Sequence, residues 1–211
     1  MPVVVFAASR KGRIIFLNGV SSSGKSSIAA QLLSVLDTPY FAMSVDVING
    51  LRAKERTLEL GEDGIREVLV HTRAGFHRAA AGMAHAGNDV VMDHVLSEPW
   101  RLIDCLAVMN GLDVVLVGVH CDLEELRRRE ISRGDREIGQ AEGQLAMVHA
   151  HGLYDIECDT SMLSARACAL RIKDFLARPS GTRAFDRLRE KALTSGTLHP
   201  DQLGPSVSRG F

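Results

Sequence analysis

The tightest constraint on this chain is a stretch of eight residues, Gly19-Val20-Ser21-Ser22-Ser23-Gly24-Lys25-Ser26. It fits the pattern G-x-x-x-x-G-K-[ST] and sits directly behind the apolar run Ile14-Ile15-Phe16-Leu17. Behind it come Ile28, Leu32, Leu33 and Leu36, at spacings that share one face of a helix. A strand that runs into a glycine-bracketed loop and then a helix is the context a phosphate-binding loop requires. The glycines Gly19 and Gly24 let the backbone turn tightly, so that successive N–H groups point inward at an anion. The helix N-terminus adds roughly half a positive charge. Lys25 then reaches the terminal phosphates, and the Ser26 hydroxyl suits Mg²⁺. Ser21, Ser22, Ser23 and Ser27 complete the expected binding set, and ATP with Mg²⁺ is the expected cofactor pair.

Strand and helix patterns alternate through the rest of the chain. Strands are expected at 13–18, 40–45, 89–93, 114–119 and 153–158. Helices are expected at 26–36, 65–83, 99–110, 123–133, 140–148 and 164–176. Five apolar strands without clean alternation, separated by helices, indicate a parallel sheet covered on both faces. The predicted fold is therefore α/β, a three-layer sandwich of the P-loop NTPase kind with a five-stranded parallel sheet. Residues 13–178 form the expected domain, and residues 1–12 read as a disordered lead-in or an extra edge segment. Beyond 178 the alternation fails. Pro179-Ser180-Gly181 is a break, residues 185–193 carry one more helical pattern, and 194–211 read as a loose tail. Residues 179–211 are thus expected to be a partly disordered extension.

Composition narrows the partners. A length of 211 residues suits one domain with a real core. A net charge of -1 provides no field to recruit nucleic acid or an anionic membrane. No apolar run approaches the ~20 residues needed to span a bilayer. The four cysteines form no C-x-x-C pair and read as reduced thiols, which makes the cytoplasm the expected compartment. The histidines show no metal-binding spacing.

A phosphate loop alone does not separate a kinase from a GTPase switch or a motor. No N-K-x-D-like guanine reader follows a late strand, and the chain is short for a motor. A small-molecule kinase needs a carboxylate beside the acceptor hydroxyl, a second acid on the Mg²⁺ side, and cations that close over the transferring phosphate. Asp46 follows the second strand, and strand C-terminal ends line the ligand crevice of an open parallel sheet. It is the candidate base, with a helix cap as the structural alternative. Asp93 ends the third strand, in the place of a Walker B acid able to hold Mg²⁺, with a strand-end cap as the structural alternative. The neighbouring His94 is either a substrate contact or structural. Arg133 and Arg136 flank a Gly-Asp turn and are the candidates for a short arginine-bearing lid, with a solvated basic face continuing Arg127 and Arg128 as the structural alternative.

Taken together, these residues resemble the chloramphenicol phosphotransferase-like P-loop kinases. The resemblance runs from Ile15-Phe16-Leu17-Asn18-Gly19 and the loop through Val45-Asp46, Val91-Met92-Asp93 and Val117-Gly118-Val119-His120-Cys121-Asp122. It continues through Arg129-Glu130, Arg133-Gly134-Asp135-Arg136 and Val148-His149 to Tyr154-Asp155-Ile156-Glu157-Cys158-Asp159-Thr160, covering about residues 13–177. The last two arginine- and tyrosine-led motifs are its most diagnostic parts. The resemblance implies ATP-dependent transfer to a substrate hydroxyl, which in chloramphenicol phosphotransferase belongs to the antibiotic. It implies Asp46 as base, Lys25 and Ser26 at the phosphates and Mg²⁺, Arg133 and Arg136 in the lid, and Arg129 and Thr160 near the nucleotide.

After Asp46 the sequence departs from the drug-phosphorylating pattern. Residues 49–63 are short and highly charged, where that enzyme has an apolar stretch. Arg52, Lys54 and Arg56 suit a polar or anionic acceptor, with a solvent-facing helix as the structural alternative. Aromatic residues are only 5% of the chain, and even with Phe41, Phe76 and Trp100 nearby an apolar, aromatic-lined pocket is not evident. Three readings stay open: an antibiotic O-kinase, a metabolite or nucleotide-sugar kinase of shikimate-kinase-like or zeta-toxin-like type, and a nucleotide-binding regulatory module. Asp46 discriminates among them, because a mere binder needs no carboxylate beside the γ-phosphate. The expected partner is a small hydroxyl-bearing molecule, with homo-oligomerisation left open.

Overall fold

The computed structural model describes residues 10–133, 139–178 and 181–204. Five strands, β1 (Arg13–Asn18), β2 (Tyr40–Ser44), β3 (Asp89–His94), β4 (Asp113–His120) and β5 (Ile156–Asp159), form one sheet in the order β2-β3-β1-β4-β5. All four pairings are parallel. The central strands β1, β3 and β4 are buried almost end to end, as their unbroken apolar runs require when both faces are covered.

Alternate residues of each strand feed two cores. Ile15, Leu17, Val115 and Val117 pack with Ile28 and Leu32 of α1 (Lys25–Val35) and with Cys168 and Ile172 of α8 (Ala165–Leu176). Ile14, Phe16, Met92 and Leu116 pack on the other face. Their partners there include Phe76 of α4 (Gly61–His85), Leu106 of α5 (Pro99–Val108), and Phe185 and Leu188 of α9 (Ala184–Thr194). This is the expected three-layer sandwich. A small third cluster joins Val20, in the phosphate loop, to Leu126 of α6 (Leu123–Arg133) and to Ala141 and Val148 of α7 (Gln140–Val148). Among the described residues no helix is long and apolar enough to cross a membrane.

Three stretches differ from the sequence reading. Residues 45–58 fold into two short helices, α2 (Val45–Gly50) and α3 (Lys54–Leu58). Ser44 caps α2 by accepting the Asp46 N–H, and Arg52 fastens the segment by donating to Asn49, Thr57 and Thr72. The last strand begins at Ile156 rather than 153. Tyr154 instead packs its ring where a Cβ on Gly118 would lie, 2.9 Å away, and Asp155 accepts the N–H groups of Leu116 and Ala184.

The third difference is at the C-terminal end. Residues 194–204 are not loose: Leu198 is buried in the same core as α9, and the Gly204 N–H donates to the Ala107 carbonyl. Gly, Pro and Ser there make tight turns and a 3₁₀ turn at Pro200–Gln202. Arg189 of α9 donates to the carbonyls of Leu106 and Met109, satisfying the C-terminal end of α5. At the other end, Arg10 pairs with Asp89 and the Gly12 N–H donates to Ala84, so the described part of the lead-in is fastened to the start of β3 and the end of α4.

Candidate functional site

Strand order decides what meets at the carboxyl edge of the sheet. β3 lies between β2 and β1, with Asp93 in register with Ser44 on one side and with Leu17 on the other. The chain leaves β1 into the phosphate loop and β2 into α2, so Asp93 sits between Lys25 and Asp46. A cavity of about 740 Å³ opens there, lined by Lys25, Ser26, Asp46, Asp93, Arg129 and Thr160 among others. It is the crevice that a parallel sheet forms where its strand order reverses.

The loop is built to expose amides. Gly24 caps α1 at φ 91°, a left-handed conformation that leaves no side chain to occupy the first-turn N–H groups. Ser22 is the one non-glycine residue with positive φ among the described residues, at 59°. Gly19 is held so close to β4 that a Cβ would lie 2.4 Å from the Val119 carbonyl oxygen. The hydroxyls of Ser22 and Ser23 are buried without a protein partner. The Ser21 N–H donates to Gln144 of α7.

Charge is concentrated at the loop's end. Lys25 is 6% exposed, donates to the Val20 carbonyl at 2.8 Å and lies 3.9 Å from Asp93. The Ser26 hydroxyl donates to the other Asp93 oxygen at 2.6 Å. A hydroxyl and a carboxylate side by side are hard oxygen donors, the set that Mg²⁺ takes beside phosphates. On the far wall Arg129 donates to the Thr160 hydroxyl at 3.0 Å, the Thr160 carbonyl at 2.9 Å and the Ser22 carbonyl at 3.3 Å. Glu125 holds its Nε side at 2.7 Å. Arg129 and Thr160 therefore form a hydrogen-bonded rim over Gly24.

The structure brings Lys25, Ser26, Ser27, Ser21, Ser22, Gly24, Asp46, Asp93, Arg129 and Thr160 to one cavity. Gly19 and Ser23 lie behind them as support for the loop. Arg133 is the last residue of α6. The turn beyond it, with Arg136 and the expected lid, lies outside the described residues. Arg52, Lys54 and Arg56 do not line the cavity: Arg52 is committed to its local bonds, Arg56 pairs with Glu59, and Lys54 is exposed. None of Phe41, Phe76 and Trp100 lines it either.

Two arginines that sequence reasoning passed over, Arg73 and Arg101, line the cavity instead. Each interrupts an apolar stripe. Arg73 falls four residues after Leu69 and three before Phe76, and Arg101 falls four before the buried Cys105. A charge at a core-facing position was the available signal.

His94 also lines the cavity and is buried. Its Nε2 lies 3.0 Å from Nε2 of His77, whose Nδ1 lies 2.6 Å from the Asp104 carboxylate. Burial pushes both imidazoles below their ordinary pKa, His94 farthest, and at His94 the nearby His77 adds to the effect. With both neutral, His77 donates to Asp104 from Nδ1, so His94 donates to His77 from Nε2. His94 Nδ1 is then a bare acceptor, and it has no protein partner.

A parallel sandwich with a phosphate loop, a strand-end acid beside its serine and a further carboxylate on the same cavity defines a P-loop kinase fold. The chain belongs to the chloramphenicol phosphotransferase-like family, whose model matches residues 12–177. A Mycobacterium tuberculosis protein named "Putative O-phosphotransferase" is 29% identical, over 91% of this chain and 94% of its own. Among solved structures, the Mycobacterium tuberculosis APS kinase CysC in complex with AMPPNP and APS matches with a TM-score of 0.61 at 16% identity, over 80% of this chain and 99% of its own. Shikimate kinase from Acinetobacter baumannii in complex with shikimate matches with a TM-score of 0.56 at 13% identity, over 80% and 93%. These structural likenesses concern the fold.

Proposed function

We propose that this protein transfers the γ-phosphoryl group of ATP to a hydroxyl of a small molecule, with Asp46 taking the hydroxyl proton. The observation that carries this reading is that Lys25, Ser26, Asp93 and Asp46 line one cavity. The loop amides and Lys25 cradle the phosphates, with Arg129 and Thr160 on the nucleotide side. Ser26 and Asp93 would hold Mg²⁺, which when bound neutralises charge on the phosphates. Asp46 stands across Asp93 from the loop, where a carboxylate orients an acceptor alcohol and accepts its proton as the oxygen–phosphorus bond forms. The bond from phosphorus to the ADP oxygen breaks in the same transfer, and ADP leaves. Arg133 and Arg136 remain the proposed closing cations.

The family name points to an antibiotic acceptor, and the cavity wall favours a polar one over a nitrophenyl drug. Resistance is thus one outcome of a screen and not its premise. An enzyme that spends ATP and has all four cysteines as free thiols fits the cytoplasm. The test is ATP consumption with chloramphenicol, other hydroxyl-bearing antibiotics, sugars and hydroxy acids, repeated with Lys25→Ala. Acceptor-dependent ADP release that Lys25→Ala abolishes supports the reading. ATP binding without consumption by any acceptor makes the protein a nucleotide-holding module.

A further inference from the structure

The end of the cavity nearest Asp46 is walled by α2, α4, α5 and the residues after β3. Two guanidinium groups reach it. Arg73, on α4, is half-buried and makes no hydrogen bond or ion pair among the described residues. Arg101, on α5, is 6% exposed. Its Nη1 donates to the Val95 carbonyl at 2.9 Å, its Nη2 pairs with Glu98, and its Nε is buried with no acceptor.

Two partly buried cations in one cavity cost free energy unless something compensates them. Arg73 is held below its ordinary pKa by burial and then by the charge of Arg101, while Glu98 and Asp46 work the other way. Arg101 is likewise held down by burial, against the pull of Glu98. The nearby carboxylates thus leave Arg73 with unused donors and Arg101 with an orphaned N–H. Planar forks of this kind match the geometry of carboxylate, phosphate and sulfate oxygens.

We propose that the acceptor carries an oxyanion besides its hydroxyl, and that Arg73 and Arg101 hold that oxyanion while the hydroxyl lies at Asp46. This rests on the kinase reading above and adds the acceptor's chemical class. Uncharged alcohols then lack the group that fixes them in the cavity. The charged character read from Arg52, Lys54 and Arg56 is thereby supplied by two other arginines on the helices behind them.

The test loads the protein with AMPPNP and Mg²⁺, so that the phosphate loop is filled. Sodium acetate, phosphate and sulfate are then titrated by calorimetry at constant ionic strength. At least one anion is expected to bind, and Arg73→Gln to weaken it about 10-fold or more, the scale of a lost charge-assisted contact. AMPPNP affinity should change less than about twofold, since Arg73 lies at the acceptor end. Arg101→Lys keeps the charge, removes the fork and should weaken the same anion.

The anion bound tightest names the source, and matched acceptors confirm it: gluconate against sorbitol for a carboxylate, glucose 6-phosphate against glucose for a phosphate, glucose 6-sulfate against glucose for a sulfate. The proposal is overturned if the loaded protein binds none of the three anions, or binds them equally well in Arg73→Gln. It is also overturned if that variant loses AMPPNP affinity, because Arg73 would then serve the nucleotide. Failure of the wild type to bind AMPPNP at all strikes the kinase reading and not this subsite.

Discussion

The same substitution, glycine to alanine, should have opposite effects at two positions. At Gly19 the new Cβ would lie 2.4 Å from the Val119 carbonyl oxygen and 2.7 Å from the Ser23 hydroxyl. Carbon and carbonyl oxygen ordinarily meet no closer than about 3.3 Å, so roughly 0.9 Å of overlap must be relieved. Val119 is paired with Cys158 in the sheet and has little freedom to retreat. The loop must move instead, at about 1–3 kcal/mol, as for an overpacked core. For a domain of this size that lowers Tm by roughly 2–12 °C, and ATP affinity falls because the amide cradle shifts. At Gly75, exposed within α4, a Cβ meets nothing within 4 Å. Alanine there should stabilise by about 0.5–1 kcal/mol through helix propensity and raise Tm by roughly 1–4 °C. Differential scanning fluorimetry with and without ATP measures both. A Gly19→Ala protein with unchanged Tm and unchanged ATP affinity would refute the close packing of loop on β4.

Other expectations follow from the core and the rim. Truncation after residue 178 removes Phe185, Leu188 and Leu198 from the core. At ~1.5–3 kcal/mol per buried side chain this is about 5–9 kcal/mol, enough to unfold a typical domain. Phe185→Ala alone should cost about 3–5 kcal/mol, read from urea midpoints. Arg129→Ala should weaken ATP about 10-fold, since it frees both Thr160 and the Ser22 carbonyl, and isothermal titration checks it.

Stability should also fall on mild acidification. His77 and His94 are held below their ordinary pKa by burial, and His149 is lowered to about 4 by burial and then by the nearby His120 and His151. The unfolded chain therefore binds more protons below about pH 6.5, so the stability present above that pH is lost as pH falls toward 4. The slope is up to about 1.4 kcal/mol per pH unit for each group. Urea midpoints between pH 7 and 4.5 test this, and a flat profile would contradict it.

The sheet and its nucleotide loop were legible because continuous apolar runs and a glycine-bracketed motif are local signals. That Asp46 and Asp93 line one cavity was legible because strand ends converge in a parallel sheet. The cavity wall beside Asp46 was harder to read. Charge density at 49–63 suggested Arg52, Lys54 and Arg56, but side chains in a short charged segment satisfy one another, as Arg52 does with Asn49 and Thr57. Arg73 and Arg101 carried a weaker sign, one charge each within an apolar stripe, and only tertiary packing turns both toward one cavity. The packing of Leu198 was hidden for a related reason: turn-rich composition describes local conformation and is silent about whether a turn is covered. The bond of His94 to His77 depends on two helical and strand positions 17 residues apart, which no periodicity links.

The central claim is that a carboxylate stands beside the phosphates to take an alcohol's proton. Asp46→Asn keeps the size and the α2 cap, since that cap uses the Asp46 backbone N–H. Measured with the best acceptor from the screen, the variant should bind ATP within about twofold of the wild type and transfer phosphate at least ~10²-fold more slowly. Wild-type turnover in Asp46→Asn would contradict it.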